Sequence, residues 1–276
     1  MMPSLVVLTD FFAVSNHALS YAAGLALPLH AQLTLLHIPQ PELLAPSAYE
    51  PAGSYQAPPN RRQTSYALQL LAAGPPVLID GAAPEDDLPD SLTSAIHAAS
   101  PLLLVLGQPG STALPAELMT TMAMTLLHRV AYPLLLVPLR GLDAFPPRRL
   151  LLAIDGLPFR LRPHQDVLRR LLQATQGTLD VVHITDDAHA ATDAEHLLAT
   201  LRASDLVPDL PPRRLHQVYQ PAVTAGVLAE AARLHADMLV LLARPHSLLG
   251  NLFHHSATVR LLRDSPIPVL VLPVQE

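Results

Sequence analysis

Apolar residues in this chain come in short continuous runs rather than at alternate positions. Residues 102–106 and 269–272, for example, are apolar throughout, and such runs stop at Gly or Pro. A strand that is apolar on both sides is typical of a parallel sheet covered by helices on both faces. Because the stretches between these runs have helical periodicity, the pattern predicts strands that alternate with helices.

The pattern occurs twice along the chain. Residues 5–38 and residues 150–184 each contain an apolar run ending in Asp, a helical stretch, and a second apolar run ending in His-Ile. Each half then closes with a last strand that is entered through Pro. Two unrelated α/β segments could share apolar strands, but the shared Asp, His-Ile and Pro in one order favour duplication. We therefore predict an α/β fold of two doubly wound, mainly parallel-sheet domains in tandem, residues 1–140 and 148–276.

Composition excludes several kinds of chemistry. The 276 residues include no Cys, which removes disulfides, thiolate nucleophiles and thiolate metal sites. All 17 basic residues are Arg, so mechanisms that need a P-loop lysine or a Schiff-base lysine are excluded. The net charge of −6 does not favour sequence-independent binding to nucleic acid.

The mean hydropathy of +0.31 is high, yet it does not predict a membrane protein. The apolar runs have the length of strands, whereas a spanning helix needs about 20 apolar residues in a row. The first residues lack a basic leader and reach an Asp after a few apolar positions, unlike a secretory signal. We therefore expect a cytoplasmic protein without a membrane partner.

Several features resemble the universal stress protein family over nearly the whole chain. They are the Asp after the first strand, the His-Ile after the second and the Pro before the last, found at Asp10 and Asp155, His37-Ile38 and His183-Ile184, and Pro133 and Pro268. Members that bind ATP carry a G-x2-G-x9-G-[ST] signature. The first half has Gly107 and Gly110 at the required spacing, followed by Thr120-Thr121, with Thr120 in place of the third glycine.

The resemblance implies an ATP site in the first domain, with no metal beyond the magnesium that accompanies ATP. The implied contact residues are Thr9, Asp10, Ile38, Gly107, Gly110, Thr120 and Thr121. Glycines let a backbone turn close against phosphate, and amides at the following helix N-terminus point at the anion. Two alternatives stay open: Thr120 or Thr121 could cap that helix, and Asp10 could cap the helix after the first strand.

The second domain lacks the signature. Ala243 and His246 stand where the glycines would be, and of its end only Ser256 remains. We therefore predict that this domain does not bind ATP in the family's manner, and we interpret Asp155 as a helix N-cap.

One segment of the sequence offers candidate metal ligands, whereas no segment offers a catalytic motif. His189, Asp193 and His196 would share one face of a helix and could hold a divalent metal, but the same segment is typical of a solvated helix start, so we expect no metal. No motif pairs a nucleophile with its base, so we expect no enzyme.

The resemblance thus implies a non-catalytic stress-response protein that binds or senses a ligand. It also implies that the two domains pair as an internal pseudo-dimer through their last strands, residues 132–139 and 267–274. A homodimer is a further expectation, and the sequence names no protein partner. The alternatives are an interaction scaffold without nucleotide and a slow ATP hydrolase.

Overall fold

The computed structural model describes eleven strands and seven α-helices. The residues that it describes are 2–9, 13–37, 77–78, 90–107, 116–138, 145–162, 166–185, 194–204, 206, 210–244 and 257–275. The first half contains β1 (Ser4–Thr9), α1 (Ala13–Leu29), β2 (Gln32–His37), β3 (Val77–Leu78), α2 (Asp90–Ala99), β4 (Leu103–Gly107), α3 (Ala116–Arg129) and β5 (Leu134–Val137).

The second half repeats this succession with three additions. It contains β6 (Arg149–Ile154), β7 (Arg160–Leu161), α4 (Val167–Thr175), β8 (Thr178–Thr185), α5 (Ala194–Ala203), a 3-10 turn (Pro212–Arg214), β9 (Leu215–Tyr219), α6 (Val223–Arg233), β10 (Met238–Ala243), α7 (Ala257–Asp264) and β11 (Val269–Gln275). The short strand β7, the helix α5 and the 3-10 turn have no counterpart among the described residues of the first half.

One sheet runs through both halves in the order β3-β2-β1-β4-β5-β11-β10-β6-β8-β9, and β7 adds to β11. The pairs inside each half are parallel, apart from β7 with β11. Where the halves meet, β5 and β11 are antiparallel, with Leu135 opposite Leu270. The mixed α/β fold with a mainly parallel sheet is thereby confirmed.

Helices cover both faces of the sheet and explain the continuous apolar runs. Leu5 and Val7 of β1 belong to a core with α1, α4 and α5, whereas Val6 and Leu8 belong to a core with the other four helices. Successive residues of a strand point to opposite faces, so every position of a central strand must be apolar. None of the described helices is both long enough and apolar enough to cross a membrane.

The residues before β6 contact both halves of the chain. Phe145 packs edge-on against Tyr21 of α1, with ring centroids 5.2 Å apart, and lies over Gly24, where a Cβ atom would collide with the ring. Three residues further on, the carboxylate of Asp237 accepts hydrogen bonds of 2.9 Å from the backbone amides of Arg148 and Arg149. The linker is thus packed against the first half through Phe145, and the residues that lead into β6 are bonded to the second half through Asp237.

Candidate functional site

Each half contains one crevice of the kind in which open α/β sheets bind ligands. In the first half, β1 lies between β2 and β4, so the strand order reverses there. In the second half, β6 lies between β8 and β10. The carboxyl ends of β1 and β4 thus border what we call the first crevice, and those of β6 and β10 border the second crevice.

Two of the predicted site residues border the first crevice. Thr9 is the last residue of β1 and Gly107 is the last residue of β4. The parallel register pairs Val7 with Val105, which brings Thr9 level with Gly107 on the neighbouring strand. The predicted residues Asp10, Ile38 and Gly110 lie outside the described residues.

The two threonines of the signature lie inside a helix. Because α3 begins at Ala116, Thr120 and Thr121 occupy its second turn, and the interpretation of either one as the N-cap is wrong. Thr120 is buried, with 4% of its surface exposed. Thr121 is exposed, and its carbonyl accepts a hydrogen bond of 2.9 Å from the hydroxyl of Thr125. The helix therefore starts one turn earlier than the resemblance implies.

In the second crevice an arginine bonds to the aspartate that follows β6. Arg244 follows β10 and donates from Nε and Nη2 to the two carboxylate oxygens of Asp155, over 2.6 and 2.9 Å. The same guanidinium donates to the carbonyls of Leu157 and Pro158, over 2.9 and 3.0 Å. Four hydrogen bonds from one side chain thus tie the end of β10 to the segment after β6.

The segment that Arg244 holds crosses the second crevice. Residues 155–161, which we call the strap, leave the end of β6 and reach β11, where Leu161 pairs with Val274. Since β10 lies between β6 and β11, the strap must pass the carboxyl end of β10. The helical stretch predicted directly after Asp155 is therefore wrong at its start, because α4 begins only at Val167.

Asp155 is not a helix cap. Besides Arg244, its carboxylate accepts a hydrogen bond of 3.1 Å from the amide of Leu157, which closes a turn within the strap. The residue that precedes α4 is Asp166, and its side chain makes no capping hydrogen bond. The N-cap interpretation of Asp155 is therefore wrong, because the strap separates this residue from the helix.

The underside of the strap packs closely on β8. Gly156 has a φ of +83°, and a Cβ atom at this position would lie 3.2 Å from Cε1 of His183. A side chain would be strained by the backbone and crowded by the imidazole, so glycine suits the position on both counts. Beyond it, Phe159 is 4% exposed and belongs to the core with α4 and α5.

A second polar cluster lies at the outer edge of the second half. Asp180 of β8 accepts a hydrogen bond from Arg214 and pairs with His216. Glu230 of α6 accepts hydrogen bonds from Nε and Nη2 of Arg233. The hydrogen bond from Arg233 lowers the pKa of the Glu230 carboxyl, although burial acts in the opposite direction. These groups satisfy one another, and we assign the cluster to the attachment of β9.

The described residues contain no group of three His, Asp or Glu side chains that could hold a metal ion. Of the three residues considered for a metal, His196 is exposed on α5, and His189 and Asp193 lie outside the described part of the chain.

Comparison with known proteins agrees with the duplicated architecture. The model of the universal stress protein family matches residues 1–138 and again residues 147–273. This chain belongs to the universal stress protein family. No curated protein matches it.

Solved structures share the fold of this family member at low sequence identity. A universal stress protein from Archaeoglobus fulgidus DSM 4304 is 14% identical, with a TM-score of 0.57 and 98% of each chain covered. A functionally unknown protein from Pseudomonas aeruginosa PAO1 is 16% identical, with a TM-score of 0.57, covering 99% of this chain and 92% of the other. The cytoplasmic domain of a prokaryotic cation chloride cotransporter is 11% identical, with a TM-score of 0.51, covering 99% of this chain and 96% of the other.

Sequence reasoning about this universal stress protein missed the role of Arg244. The sequence showed that the second half lacks the signature glycines, and it therefore predicted a lost site. It did not show that Arg244 bonds Asp155, because the two residues are 89 positions apart and meet only in the folded sheet. The one local signal was an arginine directly after a buried strand.

Proposed function

We propose that this universal stress protein is a non-catalytic cytoplasmic sensor that binds ATP in its first crevice. The proposed contacts are Thr9, Asp10, Ile38, Gly107, Gly110, Thr120 and Thr121, with magnesium present only as the partner of ATP. The second half would support the first half structurally, without a nucleotide of its own.

The difference between the two crevices is the observation that carries this proposal. In the first crevice, β4 ends in Gly107, a residue whose backbone a phosphate could approach closely. In the second, the guanidinium of Arg244 bonds to both carboxylate oxygens of Asp155, and the strap crosses the carboxyl end of β10. A ligand of the second crevice would have to displace the four hydrogen bonds of Arg244, two of which form the ion pair with Asp155.

The absence of a catalytic group supports a binding role over hydrolysis. The sequence has no Cys and no Lys, and it carries no motif that pairs a nucleophile with a base. A protein that binds ATP without these groups can still respond to it, because a ligand stabilises the state that it binds.

One observation favours a second candidate, an interaction scaffold without nucleotide. Thr120 replaces the third glycine of the signature and is buried inside α3, so the helix terminus that would face phosphate lies one turn away. Under this alternative both crevices are closed, the first by side chains and the second by the strap.

Calorimetric titration of ATP with magnesium separates the candidates. We expect binding to the wild-type chain, loss of binding in Asp10→Ala and unchanged binding in Asp155→Ala, which is the matched aspartate of the second half. No heat at millimolar ATP would support the scaffold. Release of phosphate above the Asp10→Ala background would support a slow hydrolase and contradict the sensor.

A further inference from the structure

We propose that the strap is a lid that closes the second crevice with the chain's own atoms, and that the Asp155–Arg244 pair holds it shut. The proposal concerns the second half alone, so it stands or fails independently of ATP binding in the first.

The position of the strap makes it a lid. It starts at the end of β6, crosses the end of β10 and joins β11 through the pairing of Leu161 with Val274. Its path therefore occupies the carboxyl edge of the sheet at a reversal of strand order, where α/β folds admit ligands. Gly156 sits against His183, which is 8% exposed beneath it.

The strap has one end that is anchored by packing and strand pairing, and one end that Arg244 joins to β10. Phe159 is buried in the core and Arg160 pairs with β11, so the far end is fixed by packing and by the strand ladder. At the near end, the side chain of Leu157 is 57% exposed and contributes little apolar burial. At this end the guanidinium of Arg244 makes four hydrogen bonds, and the Leu157 amide donates one to Asp155.

The charge of Asp155 is the part of this closure that can be removed without removing Arg244. The Asp155 side chain is 47% exposed, whereas that of Arg244 is only 12% exposed. The two hydrogen bonds to the carboxylate join opposite charges and are stronger than the two to neutral carbonyls. Loss of the carboxylate charge should therefore lift the near end of the strap and leave its far end in place.

Hydrogen exchange followed by mass spectrometry tests this in the full chain. The variants are Asp155→Asn, which keeps an oxygen for the Leu157 amide but loses the charge, and Arg244→Gln. Arg213→Gln, a change of an exposed arginine in the turn before β9, is the matched control. We expect exchange at Gly156 and Leu157 to rise about tenfold in both test variants, since exchange follows local opening.

Chemical access to His183 provides an independent readout. Diethyl pyrocarbonate should modify His183 faster in Asp155→Asn than in the wild type, whereas modification of the exposed His196 should not change. Wild-type exchange at Gly156 together with wild-type protection of His183 would overturn the proposal. Equal acceleration of the β10 amides in Asp155→Asn would also overturn it, because the pair would then support the whole half.

Discussion

At the scale of single residues, buried charges in this protein are balanced by several donors at once. Asp237 accepts hydrogen bonds from the Arg148 and Arg149 amides and a third, also of 2.9 Å, from the Arg149 guanidinium. Burial alone would raise the pKa of this carboxyl, but these hydrogen bonds and the charge of Arg149 outweigh it and hold the pKa below its usual value. The aspartate therefore stabilises the folded state in its charged form.

The Asp237→Asn variant should unfold more easily at neutral pH, by about 2 kcal/mol, because it loses a charged acceptor for three donors. A lowered pKa gives stability that is present above the unfolded value of about 4 and is lost as the pH falls through the folded value. The difference between variant and wild type should therefore shrink at acidic pH. Urea unfolding at neutral and acidic pH measures this.

Asp264→Asn is the matched control, because Asp264 bonds only to its neighbour Arg263 in the described residues and its side chain is 40% exposed. Its expected effect is below about 0.5 kcal/mol. An equal effect of both substitutions, or a difference for Asp237→Asn that grows at acidic pH, would show that Asp237 does not act through its charge.

At the scale of elements, the contact of β5 with β11 makes one sheet from two halves. Leu135 and Leu270 face each other across this contact, and both are buried. Helices also meet across it, α1 with α4 on one face and α3 with α7 on the other. The two halves therefore share their cores, and we expect them to unfold together.

Leu270→Ala should lower the free energy of unfolding by about 3 kcal/mol, because it leaves a cavity where the halves meet. The unfolding curve in urea should keep a single transition, monitored by circular dichroism. The control is Leu27→Ala on α1, whose side chain is 79% exposed and whose removal should change stability by less than about 0.5 kcal/mol. Two separated transitions in Leu270→Ala would contradict the shared core.

The strands could be predicted from the sequence and the strap could not. A run that is apolar at every position, as in β1, β6 and β10, has few alternatives to a strand that is buried on both faces. The two residues of β7 carry no such pattern, because their pairing depends on β11, more than a hundred positions later. Local periodicity thus extended α4 back to Asp155, where the fold has a strap.

The site was predictable only in part for the same reason. The positions of Thr9 and Gly107 could be predicted, because each ends a strand and the apolar runs mark the strand ends. The start of α3 was placed too late because Thr120 matches a cap and a signature equally well, and only the fold shows the earlier turn. The contact of Arg244 with Asp155 depends on two neighbouring strand ends, which a single sequence does not reveal.

At the scale of the whole molecule, the two halves have crevices that differ in the residues at their strand ends. The first has glycine at the end of β4, whereas at the second Arg244 bonds Asp155 and the strap crosses the strand ends. The two halves therefore differ at corresponding positions of the shared sheet.

Photolabelling with azido-ATP and magnesium, followed by peptide mapping, tests that asymmetry most directly. We expect the labelled peptides to come from residues 1–138, excess ATP to suppress the labelling, and Asp10→Ala to abolish it. Labelling of residues 147–273 to the same extent, or no labelling that ATP can suppress, would contradict it.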